Sequence, residues 1–303
     1  MLNSATEIIF KYLPMRISKA INGLPPRCIE SLTEIRLRAN MPLSLTAEGK
    51  NMFITQNGSA CRINRGICTT KEELAECLRR LTQGSLYSYE EYIAQGYIPL
   101  AEGGRAGVCG TAVLKNGNIA GFADISSVNL RLHRFLPDIA LPLAEHYQKH
   151  GVAGTLVCAP PGLGKTSFLR SIAYLLSVGR VIEPLRIALA DERQELAAAL
   201  PKNGIIDYVA NAPKADAITL LTRTMAPQII ICDEISPNEC LSVLESQNTG
   251  VTFIASAHCT HPKQLLKRGR MGLMLESGIF PLCVILGYNQ GYTCQIAPTR
   301  SLL

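Results

Sequence analysis

The chain is short of charge: Asp, Glu, Lys and Arg make up 18% of its 303 residues, against 47% hydrophobic residues. A disordered chain needs the opposite balance, so disorder is excluded and buried cores are expected. A long apolar run is missing as well. The longest uncharged one, 279–288, falls well short of the about 20 residues a helix needs to cross a bilayer. The N-terminus lacks the basic, apolar, then small-residue order of a cleavable signal peptide. These absences predict a cytosolic protein whose membrane association is at most peripheral. The eleven cysteines include no C-x-x-C pair, and in a cytosolic chain they read as free thiols packed like small hydrophobes. His258-Cys259-Thr260-His261 has no second ligand pair at zinc spacing. His146 and His150, at i,i+4, lack the glutamate of a zinc-protease helix. Strong net charge is absent too: +6 divides into 17 − 13 = +4 over residues 1–150 and 13 − 11 = +2 over 151–303. Neither half argues for nucleic acid. Low-complexity segments and internal repeats are also absent.

The length predicts about two domains at roughly 150 residues each. Residues 1–135 read as a mixed α/β module without an obvious active site. Residues 34–38 alternate polar and apolar, the period of a half-buried strand. Short strands follow at 42–46 and 51–55, broken by Gly49. Thr70 opens a capping-box helix with Leu74, Cys77, Leu81 and Leu78 on its apolar face, ended by Gly84. A second helix is expected over 89–95. Gly103-Gly104-Arg105 then leads into a strand at 108–114, which returns through Asn116-Gly117 as a hairpin. Residues 126–134 alternate again, with Val128, Leu130 and Leu132 on one face and Asn129, Arg131 and His133 on the other. A helix starting at Pro137-Asp138 and running to about His150 marks the domain boundary, near residue 135.

From residue 151 the rhythm becomes strand, loop, helix. Apolar runs at 154–158, 187–190, 229–232 and 251–255 read as strands buried on both faces of a parallel sheet. Helices are expected at 166–176, 214–225 and 237–248. The first strand and helix flank Ala159-Pro160-Pro161-Gly162-Leu163-Gly164-Lys165-Thr166, a phosphate-binding loop in the strand-to-helix context it requires. Gly162 and Gly164 let successive N–H groups point at a phosphate, and the helix N-terminus adds its positive end. Lys165 is suited to the β- and γ-phosphates of ATP, and the Thr166 hydroxyl to Mg²⁺. Ala159 replaces the first glycine of the consensus.

Residues 229–232 end in Asp233 and Glu234. Asp233 stands where a Walker-B aspartate holds Mg²⁺, and Glu234 where a carboxylate orients or deprotonates a water. Asp191-Glu192, at the end of another strand, is either a second carboxylate pair at the ligand-binding edge or an ordinary helix cap. Residues 251–258 form a strand whose polar tip, Ser256 or His258, is placed to sense the terminal phosphate. The basic stretch Lys263, Lys267, Arg268 and Arg270 admits a nucleic-acid-handling ATPase, though four exposed charges more often form a solvated face or a ring interface. A degenerate ATP-binding scaffold would not need Lys165, Asp233 and Glu234 intact.

P-loop, carboxylate box, Walker B and His box, in that order, resemble the secretion ATPases of type II, type IV and pilus systems. The closer resemblance is to the stage III sporulation AA family within them. It is carried by residues 34–38, 85–90, 107–110 and 127–131 of the first domain. In the second it is carried by Ala159 to Thr166, Asp191-Glu192-Arg193, Pro213-Lys214-Ala215, 223–227, Asp233-Glu234-Ile235 and Ala257-His258. Gly104 departs from it, standing where a His is expected, and Asp233 stands where the wider family commonly has Gly. The resemblance implies a RecA-like P-loop ATPase domain (136–303) with a mostly parallel sheet, behind an N-terminal docking or oligomerisation domain (1–135). It implies a hexameric ring in the mother-cell cytoplasm, docked on membrane channel proteins of a sporulation apparatus, with no nucleic acid as partner. It brings Glu234, Glu192 and His258 into the catalytic site and leaves open how the catalytic duty divides between Glu192 and Glu234. An arginine acting from a neighbouring subunit is expected, Arg131 first and Arg223 second.

Overall fold

The computed structural model describes residues 9–47, 49–100, 104–132, 135–197, 200–237, 239–247, 249–288 and 291–303. Gly103, His133, Arg134, Asn238 and Asn248, which belong to expected elements, lie outside them. The chain divides into two compact units, Met1–Arg134 and Phe135–Leu303. Among the described residues no helix is long and apolar enough to cross a membrane.

In the first unit, helices α1 (Met15–Asn22), α2 (Pro26–Ser31), α3 (Lys71–Leu81) and α4 (Glu90–Ala94) accompany nine strands. The strands are β1 (Leu32–Arg38), β2 (Met41–Pro42), β3 (Ser44–Ala47), β4 (Lys50–Ile54), β5 (Ala60–Cys61), β6 (Cys68–Thr69), β7 (Tyr97–Pro99), β8 (Arg105–Lys115) and β9 (Asn118–Arg131). Seven of them form one sheet in the order β5-β4-β3-β1-β9-β8-β7, antiparallel throughout. The alternating positions Ile35, Leu37, Val128 and Leu130 are buried in one core with Ile17 and Ile21 of α1 and Leu74, Cys77 and Leu81 of α3. The capping box of α3 is formed: the Glu73 N–H donates to Thr70 Oγ1 at 3.2 Å, and the Thr70 N–H to Glu73 Oε2 at 2.9 Å. Arg16 of α1 grips the same carboxylate from two nitrogens, both at 2.7 Å, and holds it below the usual carboxylate range.

The second unit contains α5 (Leu141–His150), β10 (Thr155–Ala159), α6 (Lys165–Ser177), β11 (Ile187–Asp191), β12 (Ile206–Ala210), α7 (Lys214–Thr224) and β13 (Ile229–Cys232). After these come α8 (Cys240–Gln247), β14 (Thr252–His258), α9 (Lys263–Leu266), α10 (Arg270–Glu276), β15 (Leu282–Tyr288), β16 (Tyr292–Pro298) and α11 (Thr299–Leu302). The sheet order is β12-β11-β13-β14-β10-β15-β16. Its pairs are parallel except the last, in which β16 runs back along β15.

Both faces of this sheet are covered. Along β10, Leu156 and Cys158 join the core beneath α7, α8 and α10, while Val157 and Ala159 join the core beneath α5 and α6. Ile229 to Cys232 divide in the same way. This two-sided burial is why these strands read as continuous apolar runs. One helix start differs from expectation: residues 137–140 form a turn and α5 begins only at Leu141. Pro142 is the reason. Deeper in a helix its ring would meet the carbonyl of Asp138, so it is tolerated only in the first turn.

At Gly154, just before β10, a Cβ would stand 1.9 Å from the Ile279 carbonyl oxygen, a backbone atom. Gly154→Ala is therefore expected to destabilise the second unit by about 2–3 kcal/mol, the scale of a forced backbone shift. A lowered urea midpoint checks this.

Candidate active site

Parallel pairing brings four strand ends to one edge. Ala159 lies beside His258, Val157 beside Ser256, Cys232 beside Ala255, and Ala190 beside Cys232. That edge is where open α/β sheets bind ligands. Between β10 and α6, Gly162 and Gly164 adopt φ +78 and +81, conformations that a side chain resists. A Cβ at either would meet no atom within 4 Å, so these glycines are needed for backbone curl rather than space. Ala159 ends β10 and is fully buried. It keeps a strand conformation, which explains why a methyl group is tolerated there.

Lys165 is buried at the head of α6. Its ammonium donates to the carbonyls of Ala159 at 3.1 Å and Pro160 at 3.2 Å, and meets His258 Nδ1 at 2.7 Å. An ammonium has no lone pair to accept with, so His258 Nδ1 is the acceptor and its ring proton sits on Nε2. That Nε2 contacts Glu234 Oε1. A single imidazole thus bridges Lys165 and Glu234. Burial lowers the Lys165 pKa, with Glu234 and Asp233 acting in the opposite direction.

Asp233 is held from three sides. Thr166 Oγ1 donates to its Oδ2 at 2.9 Å, Ser256 Oγ to its Oδ1 at 2.7 Å, and the Glu234 N–H also to Oδ1 at 2.9 Å. The two possible tips of β14 therefore both serve the site in different ways: Ser256 anchors Asp233, and His258 meets Glu234. Glu234 itself has φ +39, a strained conformation for a residue with a side chain. Arg193 Nη1 lies 3.7 Å from its second carboxylate oxygen.

The Asp191-Glu192 pair splits. Asp191 is buried, and its carboxylate turns inward to accept the N–H groups of Glu195, Leu196 and Ala197 at 2.8, 2.9 and 2.9 Å. It organises the turn that follows it, the role a cap plays. Glu192 is exposed and lines a cleft with Asp191, Arg193, Lys214, Asp233 and Glu234. Sequence reasoning missed Lys214 and Arg193 as site residues, and it also missed Arg268, whose Nη1 donates to the His258 carbonyl at 3.0 Å. Part of the basic stretch is thus committed to the site. Cys158 and Cys283 approach to 3.7 Å, and both are buried, as is Cys259. All eleven cysteines are free thiols, but the reading as packed small hydrophobes holds only for the buried ones, since Cys68 and Cys109 are exposed and Cys28, Cys61 and Cys294 half-buried.

The two candidate arginines belong to different units. Arg131 belongs to the first unit, paired in register with Glu34 of β1, whose Oε1 is 3.7 Å from Arg131 Nε. Arg223 is exposed in the last turn of α7, nine residues and about 13 Å along the helix axis from Lys214.

Residues 3–297 match the family described as Sporulation stage III, protein AA. The chain is 31% identical to Stage III sporulation protein AA of Bacillus subtilis (strain 168) over 291 residues, 93% of this chain and 91% of that one. Among solved structures it resembles the Legionella pneumophila ATPase DotB, with TM-score 0.57, 17% identity and coverage of 88% of this chain and 76% of that one. It also resembles the pilus retraction motor PilT with bound ADP, with TM-score 0.56, 15% identity and coverage of 89% and 79%. These likenesses show the fold: an N-terminal mixed α/β unit followed by a RecA-like unit.

The inward carboxylate of Asp191 generates a stability prediction. Asp191→Ala leaves three N–H groups without their charged acceptor and is expected to cost about 2–4 kcal/mol. Urea unfolding measures it, and a midpoint equal to that of the wild type would show that the loop satisfies these groups another way.

Proposed function

The chain belongs to the stage III sporulation protein AA family, and we propose that it is an ATP-hydrolysing, secretion-type ATPase that energises a channel between mother cell and forespore. The observation that carries this reading is the contact of Thr166 with Asp233 beside the contact of His258 with Glu234. It supplies a metal-holding pair and a water-orienting pair at the mouth of a phosphate loop. The residues fit Mg²⁺ and ATP: the glycine cradle is open, and a hydroxyl and a carboxylate already face each other at 2.9 Å.

Thr166 Oγ1 and Asp233 would hold Mg²⁺, which supplies charge neutralisation at phosphate oxygens when bound. Residues 160–164 offer backbone N–H groups to the phosphates, and Lys165 exchanges its carbonyl partners for phosphate oxygens. Glu234 orients the attacking water and accepts its proton. The His258 Nε2–H holds the glutamate in place, and Arg193 shares its charge. Glu192, more exposed at the cleft rim, has the supporting part. Residues 136–303 form the ATPase domain and residues 1–135 a docking and oligomerisation domain. The working assembly is a hexameric ring in the mother-cell cytoplasm, bound peripherally to membrane channel proteins and not to nucleic acid.

Steady-state ATPase assays test the site. Lys165→Ala is expected to abolish turnover without loss of folding, and near-normal hydrolysis by it would sink this assignment. Glu234→Gln should bind nucleotide yet turn over at least about 100-fold more slowly. Thr166→Ala should regain part of its activity at raised Mg²⁺.

The ring reading assigns the charge-stabilising arginine to a neighbouring subunit, with Arg131 the first candidate and Arg223 the second. Arg131→Ala and Lys165→Ala proteins, each inactive alone, should regain ATPase activity when mixed, because some mixed interfaces pair an intact loop with an intact arginine. Failure to recover in mixtures that light scattering shows to be co-assembled would count against Arg131, whose contact with Glu34 would then be its whole role.

A further inference from the structure

Lys214 contradicts its local setting. It is the first residue of α7, after Pro213, where the helix dipole favours an acid and disfavours a cation. Its side chain is 12% exposed, although a lysine free to choose would reach for water. Such a violation of a local preference calls for a compensating gain. The gain is visible at its tip: Nζ donates to the backbone carbonyls of Asp233 at 2.9 Å and Glu234 at 2.6 Å, and lies 3.8 Å from Glu192 Oε2.

Those two carbonyls belong to the turn that carries the site. At Glu234 the backbone sits at φ +39, and a strained residue persists only where its surroundings over-determine it. The Glu234 N–H is fixed by Asp233 Oδ1 and by Ser256 Oγ at 3.1 Å. Its carbonyl and the one before it are fixed by the ammonium. Two adjacent carbonyls aimed at one point repel each other unless a cation lies between them. Glu192, across the cleft, supplies the matching negative charge.

We infer that Lys214 is a positioning residue that clamps the strained Asp233-Glu234 turn through its backbone carbonyls, and that Glu192 acts on the reaction through Lys214 and not on the attacking water. This inference rests on the ATPase reading above, and it deepens it by dividing the work of the two carboxylates. Glu234 meets the water, and Glu192 balances the clamp.

Lys214→Met keeps the stem and removes the donors; Lys214→Gln is the second variant should the first fail to fold. In either, kcat should fall at least about 30-fold with KM within about threefold, as a small misplacement of a reacting group produces. In nucleotide-free protein, amide exchange over residues 229–236 should speed up at least about tenfold, with the rest of the sheet unchanged. Glu192→Gln alone should lose less, and it should add no further loss on Lys214→Met. Multiplying losses would overturn the link and give Glu192 a task of its own. Unchanged kcat and unchanged exchange would overturn the clamp. Were the wild type to hydrolyse no ATP, the functional reading would fall, while faster exchange in the variant would still uphold the clamp.

Discussion

The carboxylate of Asp233 ties together three elements that are far apart in the chain. Thr166 reaches it from α6, Ser256 from β14, and the Glu234 N–H from the residue that follows. A half-buried carboxylate is tolerable only where donors are aimed at it, and Ser256, which is fully buried, would leave a costly unpaired hydroxyl if the acid moved. The phosphate loop, β13 and β14 are therefore locked in one register by mutual need. His258 follows Ser256 by two residues on β14, so it shares that face and is delivered to Lys165 and Glu234 by the same lock.

Charge is scarce in this molecule, yet seven charged residues gather here. Lys165, Asp233, Glu234, Glu192, Arg193 and Lys214 all border one sheet edge, with Arg268 one carbonyl away. Each bond of Lys165 and Lys214 goes to a backbone carbonyl or a side chain of the site, and so constrains it. The strain at Glu234 and the inward turn of Asp191 have the same character: side chains and backbone are set by neighbours across the sheet, against their own local preferences. Local rules broken at several adjacent positions are what a functional site shows and a well-packed strand end does not, and this is the pattern on which the proposed site rests.

Much of the fold was legible because its cause is local or periodic. The strand at 229–232 was readable from an apolar run with polar ends, and α3 from Thr70 and Glu73 three residues apart. Other elements were not. β12 carries Asp207 and Tyr208 at the sheet edge, where burial on one side erases the apolar signature. β15 lies in the run at 279–288, which periodicity cannot assign to strand or helix, and β16 is recognisable only as its antiparallel partner. The late start of α5 was within reach, since Pro142 announces it.

At the site, the phosphate loop is determined by the sequence itself: two glycines, a lysine and a threonine between a strand and a helix specify their own backbone curl and donors. The same holds for the acid pair that ends an apolar strand. What tertiary structure decided is the company these residues keep. Strand order is a non-local choice, and only the insertion of β14 between β13 and β10 brings His258 beside Ala159 and Ser256 to Asp233. The exposure of Glu192, the inward turn of Asp191 and the reach of Lys214 to two carbonyls depend on where α7 lies against the sheet. No spacing along the chain encodes that placement, because it is set by packing and by the need of each buried polar group for a partner.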